Sequence, residues 1–184
     1  LTDGAIAQGV NLTINEDARL NLSGAALTLD NADTWLGSIN MDDVNSVLTL
    51  QNMTTGDNAN LIATLGNLKL EASTLNNGGT SNINDDVNLN IDTNSIVNLT
   101  DGTLSINDGD TWNGRINNLG GALIVDKNTT NKTGVLSQDS TTASTTVLGS
   151  SFDLNNALDE INQGSLTVGN AIDNATLTVS KGKI

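Results

Sequence analysis

Aliphatic residues alternate with Thr, Asn and Ser in short runs at residues 10–14, 26–29, 47–50, 68–70, 87–91, 104–106, 122–125, 146–148 and 166–168. A period of two sends Leu12 and Ile14, or Leu104 and Ile106, to one side of a strand and the polar residues to the other. The runs start roughly 20 residues apart, the length of one β-solenoid coil. Secondary runs at 18–22, 37–41, 96–99 and 114–116 supply the other sides of the same coils. Corners are marked by residues that tolerate positive φ, at Asn77-Gly78-Gly79, Asp101-Gly102, Asp108-Gly109 and Asn113-Gly114. The pattern predicts an all-β chain forming a single-stranded parallel β-helix, or β-solenoid. Roughly nine coils of about 20 residues would make a rod on the order of 40 Å long. Right-handed winding is expected from the general bias of parallel crossovers.

An internal duplication strengthens this expectation. Residues 10–40 and 87–117 match without a gap at about 13 of 31 positions, including Asp33-Thr34-Trp35-Leu36-Gly37 and Asp110-Thr111-Trp112-Asn113-Gly114. The whole chain, 1–184, therefore reads as one stacked-repeat segment. Near 150–163 the rule breaks: Phe152, Leu154, Leu158 and Ile161 stand at mostly helical spacing, with Ser150 and Asp153 placed like a capping box. A short helical or loop insertion is expected there, packed on the side of the rod. The repeat resumes at Gly164 with no polar cap visible. An opening at Leu1 without an initiator Met points to a mature segment or an excised part of a longer chain.

Composition changes the picture in two ways. Aromatics are 2% of the chain, so the core is aliphatic and thin. A polar, Gly-rich composition is shared with disordered chains, but the regular alternation argues for a folded rod. The net charge of −14 repels phosphate backbones and anionic membranes, which argues against nucleic acid and membrane surfaces as partners. No apolar run is long enough to span a bilayer.

Little of the sequence carries chemistry. Histidine and cysteine are absent, and no nucleophile elbow, P-loop or dinucleotide fingerprint occurs, so the chain reads as non-catalytic. The acidic pairs Asp42-Asp43 and Asp85-Asp86 invite a glycosidase reading, but they occupy different places in the repeat and are read as solvated turns. More regular is the acidic or amide residue that ends the main strand, namely Asp30, Gln51, Glu71, Asp92, Asn107 and Asp126. Stacked coil upon coil, these would form a ladder along one edge. Calcium could bridge adjacent carboxylates, although no calcium nonapeptide or EF-hand loop occurs. Trp35 and Trp112 occupy one repeat position, roughly four coils apart. They are candidate sugar-stacking platforms or covers for an aliphatic corner beside Leu29 or Ile106. Thr13, Thr28, Thr49, Thr167 and Thr178 hint at a threonine face for ice, interrupted by Lys69 and Ile124.

With these residues in view, the chain resembles the β-helical passenger domains of bacterial autotransporters. The likeness is carried by the L-x-L runs, Asn77-Gly78-Gly79-Thr80, the Asp33-Thr34-Trp35-Leu36-Gly37 unit with its copy, and the G-x-L-x-V style of residues 164–181. The resemblance implies an extracellular rod at the bacterial cell surface, acting as an adhesin or self-associating protein. Its partners would be copies of itself, or a host-surface glycan or matrix protein. Two other classes stay open: a filament subunit assembled end to end, and a carbohydrate-active β-helix enzyme.

Overall fold

The computed structural model describes residues 1–2, 4–6, 10–57, 59–126, 133–149, 151–172 and 174–184. The chain winds as a parallel β-solenoid of about eight turns, one fewer than the sequence spacing suggests. Every strand pairing is parallel, and no helix occurs among the described residues. Each coil has three sides. The first carries Ala5–Ile6, Ala26–Asp30, residues 47–51 and 67–71, Val87–Ile91 and Thr111–Trp112. The second carries Thr13–Ile14 and Thr34–Trp35, then Thr74–Asn77, Ile96–Leu99, Arg115–Asn118, Val135–Gln138 and Glu160–Ile161. The third carries Arg19–Leu22, residues 38–41 and 60–63, Asn82–Ile83, Thr103–Ile106, Ala122–Asp126, Ser144–Leu148 and Ser165–Val168.

Alternation decides what lies inside. Leu29, Leu50, Leu70, Ile91 and Trp112 are in register along the first side and all are buried. Each such side chain leaves water against its counterpart in the next coil, stabilising the stack by about 1.5–3 kcal/mol per aliphatic residue. The polar residues between them face outward, as expected.

Three expectations are corrected by this path. The runs read as one main strand do not share a side: those starting at 26, 47, 68 and 87 lie on the first side, while those starting at 104, 122, 146 and 166 lie on the third. The duplication crosses this change. Its offset of about 77 residues, against a coil of 21 such as Ala26 to Val47, is about three and two-thirds coils. Ala26–Asp30 is therefore on the first side and its copy Thr103–Ile106 on the third. Nor is there a helix at 150–163. Phe152 and Leu154 are buried at a spacing of two, Ser151–Asp153 and Glu160–Ile161 are strands, and Leu158 is exposed. Ser150 lies outside the described residues. The apparent helical spacing joins two strand residues, Phe152 and Ile161, to buried Leu154 just past the first strand and exposed Leu158 in the turn.

At the corners after Gln51 and Glu71 the chain turns through a single left-handed residue, Asn52 at φ 51° and Ala72 at φ 49°. Asparagine tolerates this region, whereas alanine meets its own Cβ clash, costing roughly 1–2 kcal/mol. Replacing Ala72 with Gly is expected to raise stability by about 0.5–1 kcal/mol. Urea unfolding of the two proteins checks this.

Candidate functional site

The duplicated unit folds into the same hydrogen-bonded corner twice. Asp33 accepts the N–H of Leu12 from the preceding coil at 2.7 Å and that of Asp30 at 2.7 Å. Asp110 accepts those of Leu89 and Asn107 at 2.7 and 2.8 Å. The residue three before each aspartate closes the turn, with Asp30 Oδ1 accepting Ala32 N–H and Asn107 Oδ1 accepting Gly109 N–H, both at 2.8 Å. Two residues on, the indole of Trp35 donates to the Gly37 carbonyl at 2.9 Å and that of Trp112 to Gly114 at 3.2 Å. Only glycine fits at 37 and 114. A Cβ there would sit 2.2 and 2.4 Å from the carbonyl oxygens of Asn15 and Ala18, or 2.4 and 2.3 Å from those of Asp92 and Ser95.

A third example was hidden in the stretch whose spacing suggested a helix. Asp159 accepts Leu136 N–H at 2.7 Å and Asn156 N–H at 2.9 Å, and Asn156 Oδ1 accepts Leu158 N–H at 3.1 Å. The shared signal is Asp or Asn, two residues, then Asp, visible at 30–33, 107–110 and 156–159. Serines and a threonine serve other corners in a related way. Ser46, Ser73, Ser81 and Ser95 are buried, and each accepts a backbone N–H from a neighbouring coil, those of Gly24, Met53, Leu61 and Ser73. Thr55 accepts Asn76 N–H at 2.9 Å.

Both tryptophans are 1% exposed, so neither presents a ring face for a sugar. They also lie on different sides: Trp35 pairs with Ile14 on the second and Trp112 with Ile91 on the first. Trp112 stacks on Phe152 with ring centroids 6.0 Å apart, filling the interior.

The supposed edge ladder is divided. Asp30, Gln51, Glu71 and Asp92 follow one another at the end of the first side, whereas Asn107 and Asp126 end strands of the third. Within the first group Gln51 Nε2 donates to Glu71 Oε2 at 3.2 Å. Asp92 is turned into its corner, accepting Ala72 N–H at 3.0 Å, Asn94 N–H at 3.0 Å and Ser95 Oγ–H at 2.7 Å. Asn107 donates from Nδ2 to the Asp85 carbonyl, and Asp126 pairs in register with Leu148. Among the described residues, no group of three or more Asp or Glu side chains could hold a metal ion. Thr28 and Thr49 adjoin on the first side but Lys69 follows them, and Thr13 and Thr167 belong to the other two sides.

Ordered ladders exist elsewhere, made of amides. On the second side Asn98 Nδ2 donates to Asn76 Oδ1 at 2.9 Å and Asn117 Nδ2 to Asn98 Oδ1 at 2.8 Å, one chain across three coils. Asn40 donates to Asn21 at 2.9 Å on the third side, and Asn88 to Asn67 at 3.4 Å on the first. The ladder is thus made by the outward residue within each strand and not by the residue that ends it, the position the sequence pattern singles out.

The chain matches no protein-family model, and no curated protein and no solved structure matches it either.

Burial pushes the Asp110 carboxyl up to about 6, and nearby Asp108 adds to the rise, while the N–H groups of Leu89 and Asn107 oppose it. Between roughly pH 4 and 6 the folded chain thus holds a proton that the unfolded chain has released. The stability linked to this proton is fully present below pH 4 and lost as pH rises through 6, on the order of 3 kcal/mol. Urea midpoints are expected to fall between pH 5 and 7.5, and to fall less in Asp110→Asn. Replacing Asp159 with Ala leaves the N–H groups of Leu136 and Asn156 unpaired, at an expected cost of about 2–4 kcal/mol at neutral pH. Thermal or urea unfolding reads that loss directly.

Proposed function

We propose that this chain is a rod segment of an extracellular bacterial surface adhesin, non-catalytic, which contacts its partners through polar outward rows. The observation that carries the reading is the amide chain Asn76–Asn98–Asn117, held in register on a straight parallel side. Amides carry both donors and acceptors, and a hydrogen-bonded row loses little rotamer freedom on contact. A single row binds weakly, but rows repeated along a rod act together once one contact is made. The repeat style shared with autotransporter passengers supports the same reading and the cell-surface location. Self-association is the favoured mode because an amide row is complementary to a second copy of itself. A host glycan or matrix protein is the other partner that such a surface would suit.

Sedimentation velocity from micromolar to millimolar protein tests the proposal. Weak, concentration-dependent association is expected, unchanged between calcium and chelator because Asp30 and Asp92 are already engaged by backbone N–H groups. Replacing Asn76, Asn98 and Asn117 together with Ala is expected to weaken association at least several-fold. A chain that stays monomeric at every concentration and retains no glycan or matrix protein in a binding array would defeat the reading.

A further inference from the structure

Asn77 differs from the other buried amides of this molecule. It ends the strand Thr74–Asn77, is 0% exposed, and neither Oδ1 nor Nδ2 has a hydrogen-bond partner. A primary amide stranded in an apolar interior is strongly disfavoured, since it forfeits every hydrogen bond that water had supplied.

The same register line continues through Leu99, Asn118 and Gln138. There Gln138 is served at both polar atoms and Asn118 at Nδ2, while the buried Oδ1 of Asn118 has no partner. Asn118 Nδ2 donates to Gln138 Oε1 at 3.2 Å and to the Ser144 carbonyl at 2.8 Å. Gln138 Nε2 donates to the carbonyls of Gln163 and Ser165 at 2.7 and 3.3 Å, and its Oε1 accepts Thr145 Oγ–H at 2.7 Å. Those amides rely on an amide in the adjoining coil and on carbonyls at the entry to the third side. Asn77 is followed instead by Leu99, whose side chain offers no polar atom.

Its corner is buried at Gly78 and exposed at Gly79. Gly78 and Gly79 come next, and Thr100 Oγ1 lies 3.5 Å from the carbonyl oxygen of Asn77 itself. An open groove of about 330 Å³, lined by Asp57, Asn60, Gly78, Gly79 and Thr80, adjoins this corner. The space and the polar lining suit water rather than an apolar occupant.

We infer that Asn77 is an internal water-binding site, in which water admitted at the Gly78-Gly79 corner bridges the buried amide to polar atoms of the adjoining coils. The interior is thus hydrated beside Asn77 and closed by protein amides beside Gln138. Water supplies the partners that Gln138, and Asn118 through Nδ2, obtain from the chain, at an ordering cost smaller than that of an unpaired amide.

The test is water–protein cross-relaxation spectroscopy on the full chain labelled with nitrogen-15. The Asn77 side-chain NH2 protons are expected to show cross-peaks to water held by the protein, and the Gln138 NH2 protons, donated to carbonyls, none. Absence of a water contact at Asn77 would overturn the inference, whatever Gln138 shows. As a second measurement, oxygen-17 relaxation dispersion should lose the amplitude of at least one long-lived water in Asn77→Leu, which copies Leu99 of the next coil. An unchanged amplitude in a folded variant would also overturn it. Should that variant not fold, the wild-type spectrum decides alone.

Discussion

Coils stacked about 4.8 Å apart bond to one another along their straight sides, but at several corners the chain turns out of the ladder and leaves an N–H to be met by a side chain. The rod depends on how those donors are met. Asp33, Asp110 and Asp159 each take two of them, one local and one from the preceding coil. Buried Ser46, Ser73, Ser81 and Ser95 each take one. A carboxylate with two oxygens can tie a corner to its neighbour, so these residues fix spacing between coils as well as satisfying the turn.

That device makes the three sides interchangeable. Every side asks for the same things: aliphatic residues pointing in at a period of two, polar ones pointing out, and an acceptor at the corner. A unit copied by three and two-thirds coils can therefore settle one side away from its original and still close the same contacts, down to the glycine pressed on two carbonyl oxygens. Asp33 and Asp159 precede strands of the second side, while Asp110 precedes a strand of the first. The rod behaves as a repeat of sides more than of coils.

For function, this geometry moves attention from the rare residues to the common ones. The two tryptophans serve the interior, and the carboxylates that looked like a surface ladder are partly spent on the backbone. Left outside are rows of asparagine whose amides bond from coil to coil. Their regularity comes from the stack itself, because parallel registry places equivalent side chains one above another without further instruction.

Much of the architecture was legible in the sequence. Alternation in 87–91 and 104–106, the coil-length spacing and the glycine corners were enough to specify a parallel solenoid, since inward and outward positions are local consequences of strand geometry. The Asp30-x-x-Asp33 spacing and its two echoes were present in the sequence as well, though they acquire meaning only once the acceptor role is known. Which side each run occupies was not legible, because all sides share one pattern, and a drift of a few residues per coil moves a run to the next side without altering its alternation. The same holds for burial of Trp35 and Trp112 and for the neighbour of Asn77. Those depend on which residue lies one coil away, about 20 positions along the chain, and only the tertiary winding sets that distance.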